Sequence, residues 1–397
     1  MEPEPRPLRA VIAGGGVAAL EAALALRELA GELVATTLVA DAEDFVYRAQ
    51  AVGEPFGLGT ARRVPLRQVA RDVDAELVTA RAVAVDAAAR RLALAGGEEL
   101  GYDALLVALG AQAVPAHDAA TTWSDENAEA LGGLVRDAEE GYAGSVAFII
   151  PPGPVWPLPA YELAIMLARS AGSMSASPEI HLVTAEDTPL AAFGTVASEG
   201  VAEDLERAGV RLHAGAYAEV SRGHRATVHL RPSGATLEVD RVVALPRLEG
   251  RPLPGLPADE HGFLPVDDHC AVRGVERVWA AGDGTSFPIK QGGLAADEAD
   301  TAAAAIAALA GADVAVEPFR PVLRGVLLTG GRSRYMRYDA AGGGGDGETA
   351  TGALWWPPGK VAGRRLAPYL AERAGGIGMP ERLAGERGDA PPGAGGR

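Results

Sequence analysis

The 397-residue sequence predicts an α/β protein: two doubly wound parallel-sheet units, the first divided in sequence by the second, and a small C-terminal region. Three stretches carry that prediction. Leu8 to Leu29, LRAVIAGGGVAALEAALALREL, reads as a strand, a glycine turn and a helix. Residues 145–210 hold a strand–helix–strand–helix order. Residues 275–311, VERVWAAGDGTSFPIKQGGLAADEADTAAAAIAALAG, give a further strand, turn and long helix that complete the first unit. The expected division is 1–120 and 247–312 for the first unit, 121–246 for the second, 313–374 for the C-terminal region and 375–397 for a Gly/Pro-rich disordered tail.

Leu8 to Ala13 is a short apolar run, and Gly14, Gly15 and Gly16 break it ahead of an Ala/Leu-rich helix. The spacing Gly14-x-Gly16-x-x-Ala19 is the dinucleotide fingerprint with alanine in the third place, so the unit is Rossmann-like. Gly14 permits the tight turn, Gly16 lets a pyrophosphate approach the backbone, and Ala19 lets the helix lie close to the strand. The helix N-terminus offers unpaired N–H groups and roughly half a positive charge to the phosphates. The next strand, LVATTLVAD, ends on Asp41, an acid placed to accept a ribose hydroxyl. The gap from Gly14 exceeds the usual ~20 residues, which requires an extended helix or loop. Arg48, in the loop that follows, is read equally as a ligand of a cofactor phosphate or ring and as a surface arginine. A helix, a strand through Val83 and a hairpin at Gly96-Gly97 lead to the buried strand Ala104 to Leu109, which ends at Gly110.

The second unit begins after a polar amphipathic helix from Asp125 to Gly141. Its strands are SVAFIIPPG and EIHLVTAED, its helices YELAIMLARSAG and VASEGVAEDLERAGV, and Val242 to Leu245 closes it. Its first turn, PPGPVWPLPAYE, has four prolines and one glycine where a GxGxxG is expected. Proline removes N–H donors and stiffens the loop, and Trp156 fills space that a pyrophosphate needs. NAD(P)H is therefore not expected to bind here in the usual way. Glu186, at a strand end, reads first as a structural acid; with a nucleotide present it would favour a free 2′-hydroxyl.

In the third stretch, the strand Arg277 to Ala281 ends on Gly282-Asp283, which sets an acid at a turn beside a cofactor polyol. Lys290, Gln291 and Gly292 then open a helix running to Ala310, whose N-terminal amides and lysine bring positive charge to the same place. Beyond Pro318, VLRGVLLTGG reads as a strand or short hairpin and residues 340–352 as a flexible loop. Trp355 and Trp356 precede a short basic amphipathic helix. The pair is read as covering a core edge or a homodimer contact ahead of docking on a membrane interface.

Composition narrows the classes. A net charge of −17 argues against nucleic acid as a partner. The single cysteine, Cys270, allows neither an internal disulfide nor a dithiol, and reads as a structural or incidental thiol. Seven scattered histidines without HExxH predict no metal site. No apolar run approaches the ~18–20 residues of a membrane span. The acidic, proline-rich MEPEPRP start is unlike a signal peptide. The expected location is the cytoplasm, with at most peripheral contact to a membrane.

Together AGGGVAALEAALAL, YDALLVALGA and VWAAGDGTSFPIKQGGLAADEA resemble the three flavin-binding blocks of the two-dinucleotide-binding-domain flavoproteins, the pyridine nucleotide-disulfide oxidoreductase superfamily, over about 310 residues. Within it the chain is most similar to sulfide:quinone oxidoreductases and type II NADH:quinone dehydrogenases. The resemblance implies FAD, with Gly14, Gly15, Gly16 and Ala19 at its pyrophosphate, Asp41 at the adenosine ribose, and Val83 and Gly110 beside the cofactor. It implies Gly282 and Asp283 at the ribityl chain and Lys290, Gln291 and Gly292 flanking the isoalloxazine, with Lys290 as a charge that stabilises reduced flavin. The implied activity passes electrons from a small-molecule donor through flavin to an acceptor such as a quinone. The cysteine pair that traps sulfur in that family is absent, since Cys270 stands alone. Two alternatives stay open: an NAD(P)H-dependent quinone or ferredoxin/rubredoxin-type reductase, and a non-enzymatic flavin-binding sensor or partner subunit.

Overall fold

A computed structural model describes residues 6–124, 127–340 and 345–373. The expected tail at 375–397 and the first two residues of the helix expected from Asp125 lie outside the described residues. Five parallel strands form the first sheet, in the order Val278–Ala280, Ala104–Val107, Leu8–Ala13, Val34–Ala40 and Glu76–Thr79. The dinucleotide strand is central, paired with Val34–Ala40 on one side and Ala104–Val107 on the other. Its residues Val11 to Ala13 are fully buried because helices cover one face and an antiparallel meander, Ala82–Asp86, Arg91–Leu94 and Glu99–Gly101, covers the other. The helices Val17–Ala30 and Gly292–Leu309 lie side by side on the same face. Their alanine-rich seams (Ala18, Ala22 and Ala25 against Ala295, Ala299 and Ala303) permit a close approach. The last strand and last helix of this sheet thus come from residues 278–309, far along the chain from the rest.

The second sheet is also parallel, in the order Thr121–Thr122, Arg241–Ala244, Ser145–Ile149, Glu179–Val183 and Val210–His213. The helices Leu158–Ser173 and Thr195–Ala208 cover one face. A meander of Tyr217–Ser221, Ala226–Arg231 and Thr236–Val239 covers the other. Ala111–Val114 pairs antiparallel with Arg247–Gly250, so the chain leaves the first sheet and returns to it along a single two-stranded ribbon.

The C-terminal residues form a three-stranded antiparallel sheet, Val322–Leu327, Arg334–Asp339 and Glu348–Ala350, packed on the Leu158–Ser173 and Thr195–Ala208 helices. The third strand falls inside the stretch the sequence assigns to a flexible loop. Glycines dominate that stretch, but Thr349 carries a cross-strand pairing with Met336, and its hydroxyl donates to the Tyr335 carbonyl. A final helix, Leu366–Arg373, lies against Val17–Ala30. Among the described residues no helix is long and apolar enough to cross a membrane.

Candidate active site

The N-termini of the helices Val17–Ala30 and Gly292–Leu309 open into one cleft of about 1,420 Å³. Gly14, Gly15 and Gly16 line it, with Asp41, Arg48, Val83, Gly110, Gly282, Asp283, Lys290, Gln291 and Gly292. Twelve of the thirteen sequence-predicted site residues therefore share one concave surface. The thirteenth, Ala19, is fully buried one layer behind it, in the packing of helix on sheet.

Gly14 has φ +142°, and a Cβ there would run into the carbonyl oxygen of Ala108, just past the end of the neighbouring strand Ala104–Val107. Gly16 is different. A Cβ there would meet nothing within 4 Å, because the position faces the open cleft. It caps the first helix without any side-chain hydrogen bond, so the first-turn amides are left to a ligand. The deep glycine, the open glycine and the free amides form a cradle of pyrophosphate type. Arg48, Arg63, Arg81 and Arg251 bring positive charge to this cleft in a protein of net charge −17. Asp41 follows directly on the strand Val34–Ala40 at the cleft wall.

At the other end, Asp283 is half-buried and accepts no hydrogen bond from the described residues; burial raises its carboxyl above the usual range, with Lys290 opposing that shift. The carboxylate therefore stays open to the cleft, where a ligand's hydroxyl can reach it. The two residues that flank it are already engaged. Lys290 donates to the Thr285 carbonyl at 2.5 Å and stands 3.9 Å over the Phe263 ring. Gln291 caps its helix, with Oε1 accepting from the Leu294 N–H at 2.9 Å and Nε2 donating to the Arg324 carbonyl at 2.7 Å.

Several cleft residues were missed in the sequence. Glu162, fully buried on the Leu158–Ser173 helix, accepts two 2.7 Å hydrogen bonds from Lys360 and a third from the Leu328 N–H at 2.8 Å. Burial raises its pKa and the Lys360 charge opposes the rise. An acid on the apolar face of YELAIMLAR was the available signal. Lysine was another. Only two of the 36 basic residues are lysines, Lys290 and Lys360, and both line this cleft. The segment bearing Lys360 closes the cleft wall: the Val361 N–H donates to the Tyr47 hydroxyl at 2.8 Å, and Val361 packs on Gly292. Downstream, Glu21 of the first helix accepts from the Arg365 and Leu366 amides at 2.6 and 2.9 Å. Arg365 in turn reaches Glu28 and Asp300.

In the second unit, the turn before the Leu158–Ser173 helix sets Trp156 edge-on to Phe193, centroids 5.8 Å apart. Glu186 accepts from the Tyr161 hydroxyl at 3.1 Å and from the Ala191 N–H at 3.0 Å. The acid that a nucleotide ribose would use is thus occupied from within the chain. Cys270 is buried, and burial pushes its thiol pKa up. It does not line the cleft. Trp355 donates through Nε1 to the Gly359 carbonyl at 3.0 Å and meets Tyr335 edge-on, while Trp356 is exposed.

The family model described as pyridine nucleotide-disulphide oxidoreductase matches residues 8–308. The chain belongs to that family. FAD is the cofactor that membership assigns to it, and the glycine cradle, the paired helix N-termini and the Asp283 carboxylate open to the cleft fit that group. Among solved structures, the chain is similar to the sulfide:quinone oxidoreductase of Aquifex aeolicus, with TM-score 0.75 and 18% identity over 86% of each chain. It is also similar to a ferredoxin reductase of Rhodopseudomonas palustris, with TM-score 0.61 and 21% identity over 84% of this chain and 88% of that one. An NAD-dependent persulfide reductase of A. fulgidus gives TM-score 0.60 and 19% identity over 83% of this chain and 64% of that one. At these identities the likeness is one of fold. A dihydrolipoyl dehydrogenase of Cupriavidus necator is 36% identical over 115 residues, 25% of this chain, and the match spans 24% of that relative's length.

Proposed function

We propose that this chain is an FAD-dependent oxidoreductase of the sulfide:quinone reductase-like group. It would pass electrons from a small reductant other than NAD(P)H to an acceptor such as a quinone, without the paired-cysteine chemistry of sulfide oxidation. The observation that carries the reading is the internal engagement of the groups that a nucleotide would need in the second unit. Glu186 is engaged by Tyr161 and Ala191, and Trp156, in the proline-rich turn, meets Phe193 edge-on. Cys270 is the chain's one thiol, buried outside the cleft lining.

Bound FAD would supply the exchange of one or two electrons. The chain's own contribution is position, charge and proton control. Gly14, Gly16 and the free amides of the first helix would hold the pyrophosphate, Asp41 the adenosine ribose and Asp283 the ribityl hydroxyls. Val83 and Gly110 would form walls beside it. The N-terminus of the Gly292–Leu309 helix directs its partial positive charge into the cleft, where negative charge accumulates on reduction. Glu162 and Lys360 sit at the cleft wall and are joined by 2.7 Å hydrogen bonds in a setting largely shielded from water. Arg48, facing the same space, would add charge at a phosphate.

Anaerobic mixing with NADH and then NADPH, followed by flavin absorbance, tests this. The expected result is no bleaching by either nucleotide and full bleaching by dithionite. Rapid bleaching by NADH would overturn that reading of the second unit and favour a nicotinamide-dependent reductase. Colourless protein that FAD does not reconstitute would overturn the flavoprotein assignment.

A further inference from the structure

We propose that Glu298 is a positioning residue. From beneath, and together with Lys290, it clamps the Gly282–Thr285 turn so that the Asp283 carboxylate is held toward the cofactor's polyol chain. The proposal rests on the FAD reading above and deepens it at one end of the cleft. Glu298 lies on the Gly292–Leu309 helix, 2% exposed, and does not line the cleft. Its Oε2 accepts from the Gly282 N–H at 2.6 Å and its Oε1 from the Thr285 hydroxyl at 3.0 Å. The turn is closed by its own Thr285 N–H to Gly282 carbonyl bond at 3.0 Å. Lys290 holds the far side through the Thr285 carbonyl. One buried carboxyl and one buried ammonium thus grip a turn whose Asp283 carboxylate accepts no hydrogen bond from the described residues.

Two further features favour a positioning role over mere filling. First, an acid buried on an alanine-rich helix is expensive unless its bonds are used, and Glu298 meets two donors of this one turn. Burial holds its pKa up near 8, with the Gly282 and Thr285 bonds acting against the rise. Second, Gly282 has φ +86°, and a Cβ there would press on Ala18 and Ala295 at 3.2 and 3.4 Å. The turn is wedged between the two cofactor-facing helices, so a shift at its root is transmitted to Asp283. Lys290 makes the second grip with one compact ammonium that both donates to the Thr285 carbonyl and stands over the Phe263 ring. In a chain that otherwise uses arginine, with 36 basic residues and only two lysines, that placement is informative.

The test is FAD titration of the full-length apo protein, read by flavin fluorescence, on E298A, E298Q, T285V and D283N and on the pairs E298A/D283N and T285V/D283N. E298A is expected to weaken FAD binding at least tenfold and T285V several-fold. E298Q, which keeps an acceptor for Gly282, should stay within about threefold of the starting protein. If Glu298 acts through Asp283, E298A and T285V add less than twofold to the loss already caused by D283N. Full additivity, or unchanged binding in E298A, would overturn the proposal while leaving FAD binding by the parent protein intact. Should E298A not fold, the T285V cycle and the E298Q rescue decide the question by the same criteria. Absence of FAD binding by the parent protein would instead sink the reading on which the proposal rests.

Discussion

Gly14→Ala and Gly16→Ala should fail in opposite ways, although only one residue separates them. At Gly16 the backbone is extended (φ −92°, ψ −167°) and the added methyl meets no protein atom within 4 Å. The apo fold should therefore be unharmed. Loss of glycine freedom in the unfolded chain should even stabilise it by roughly 0.4–1 kcal/mol. The methyl instead projects into the space assigned to the pyrophosphate, so FAD affinity should fall by at least tenfold. At Gly14, φ is +142° and a Cβ would lie 2.7 Å from the carbonyl carbon of Ala108, with its oxygen closer still. Relief requires the central strand pair Leu8–Ala13 and Ala104–Val107 to separate. Strain of this kind is worth about 1–3 kcal/mol for the dihedral alone, and the overlap adds to it. The assay pairs thermal denaturation of stripped apo protein with FAD titration. Apo G16A melting at or slightly above the parent temperature, with weakened FAD binding, is the expected result. G14A should melt several degrees lower even without FAD. If G16A binds FAD as tightly as the parent, the pyrophosphate does not sit at this cradle. If apo G14A melts with the parent, the contact between Gly14 and Ala108 is not a constraint on the fold.

Stability should depend on pH through buried acids. Burial raises Glu21 to about 7, Asp297 to about 7 and Glu298 to about 8. A raised folded-state pKa means stability that is fully present below the unfolded value and is lost as pH rises through the folded value. These acids should therefore lower the melting temperature as pH rises from about 4 to 8, while His117, His181 and His213, whose pKa burial lowers, act in the opposite direction. For Glu298 alone the loss is roughly 4–5 kcal/mol as an upper bound, at about 1.4 kcal/mol per unit. Differential scanning calorimetry of E298Q should show a flatter decline across that window, and an unchanged slope would refute the attribution. The Glu162–Lys360 pair should show the asymmetry of a buried ion pair. K360M or E162Q alone strands a buried polar partner and should destabilise by about 3–5 kcal/mol. The double variant should recover much of that loss in chemical denaturation, and simple additivity would argue against a coupled pair.

The parts of the site that were legible in the sequence are those where local backbone geometry dictates residue type. Gly14 must be glycine because Ala108 leaves no room. Gly16 stays glycine where the chain faces open space, and Gly282 sits at positive φ between two helices. Such demands leave a spacing pattern that survives without any knowledge of the fold. Alternation and length also placed both parallel sheets. They failed at Glu348–Ala350, where a glycine-rich neighbourhood hid a strand that pairs with Arg334–Asp339.

The buried charge network was not legible, and the reason is sequence separation. Glu162 finds Lys360 at a distance of 198 residues, Glu21 finds Arg365 at 344, and Tyr47 finds Val361 at 314. None of these pairs has a periodicity or spacing that announces it. In each case a polar group of a nucleotide-binding unit is completed by the C-terminal segment. That segment looked like an appendage from composition, yet Lys360 and Val361 supply cleft wall. What the sequence did hold was the oddity of each partner alone: an acid inside an alanine–leucine helix, and lysine in a chain that otherwise uses arginine. A buried charge costs too much to stand alone. Each such residue is therefore a pointer to an unseen partner, and here the pointers converge on one cleft and on the helices whose N-termini open into it.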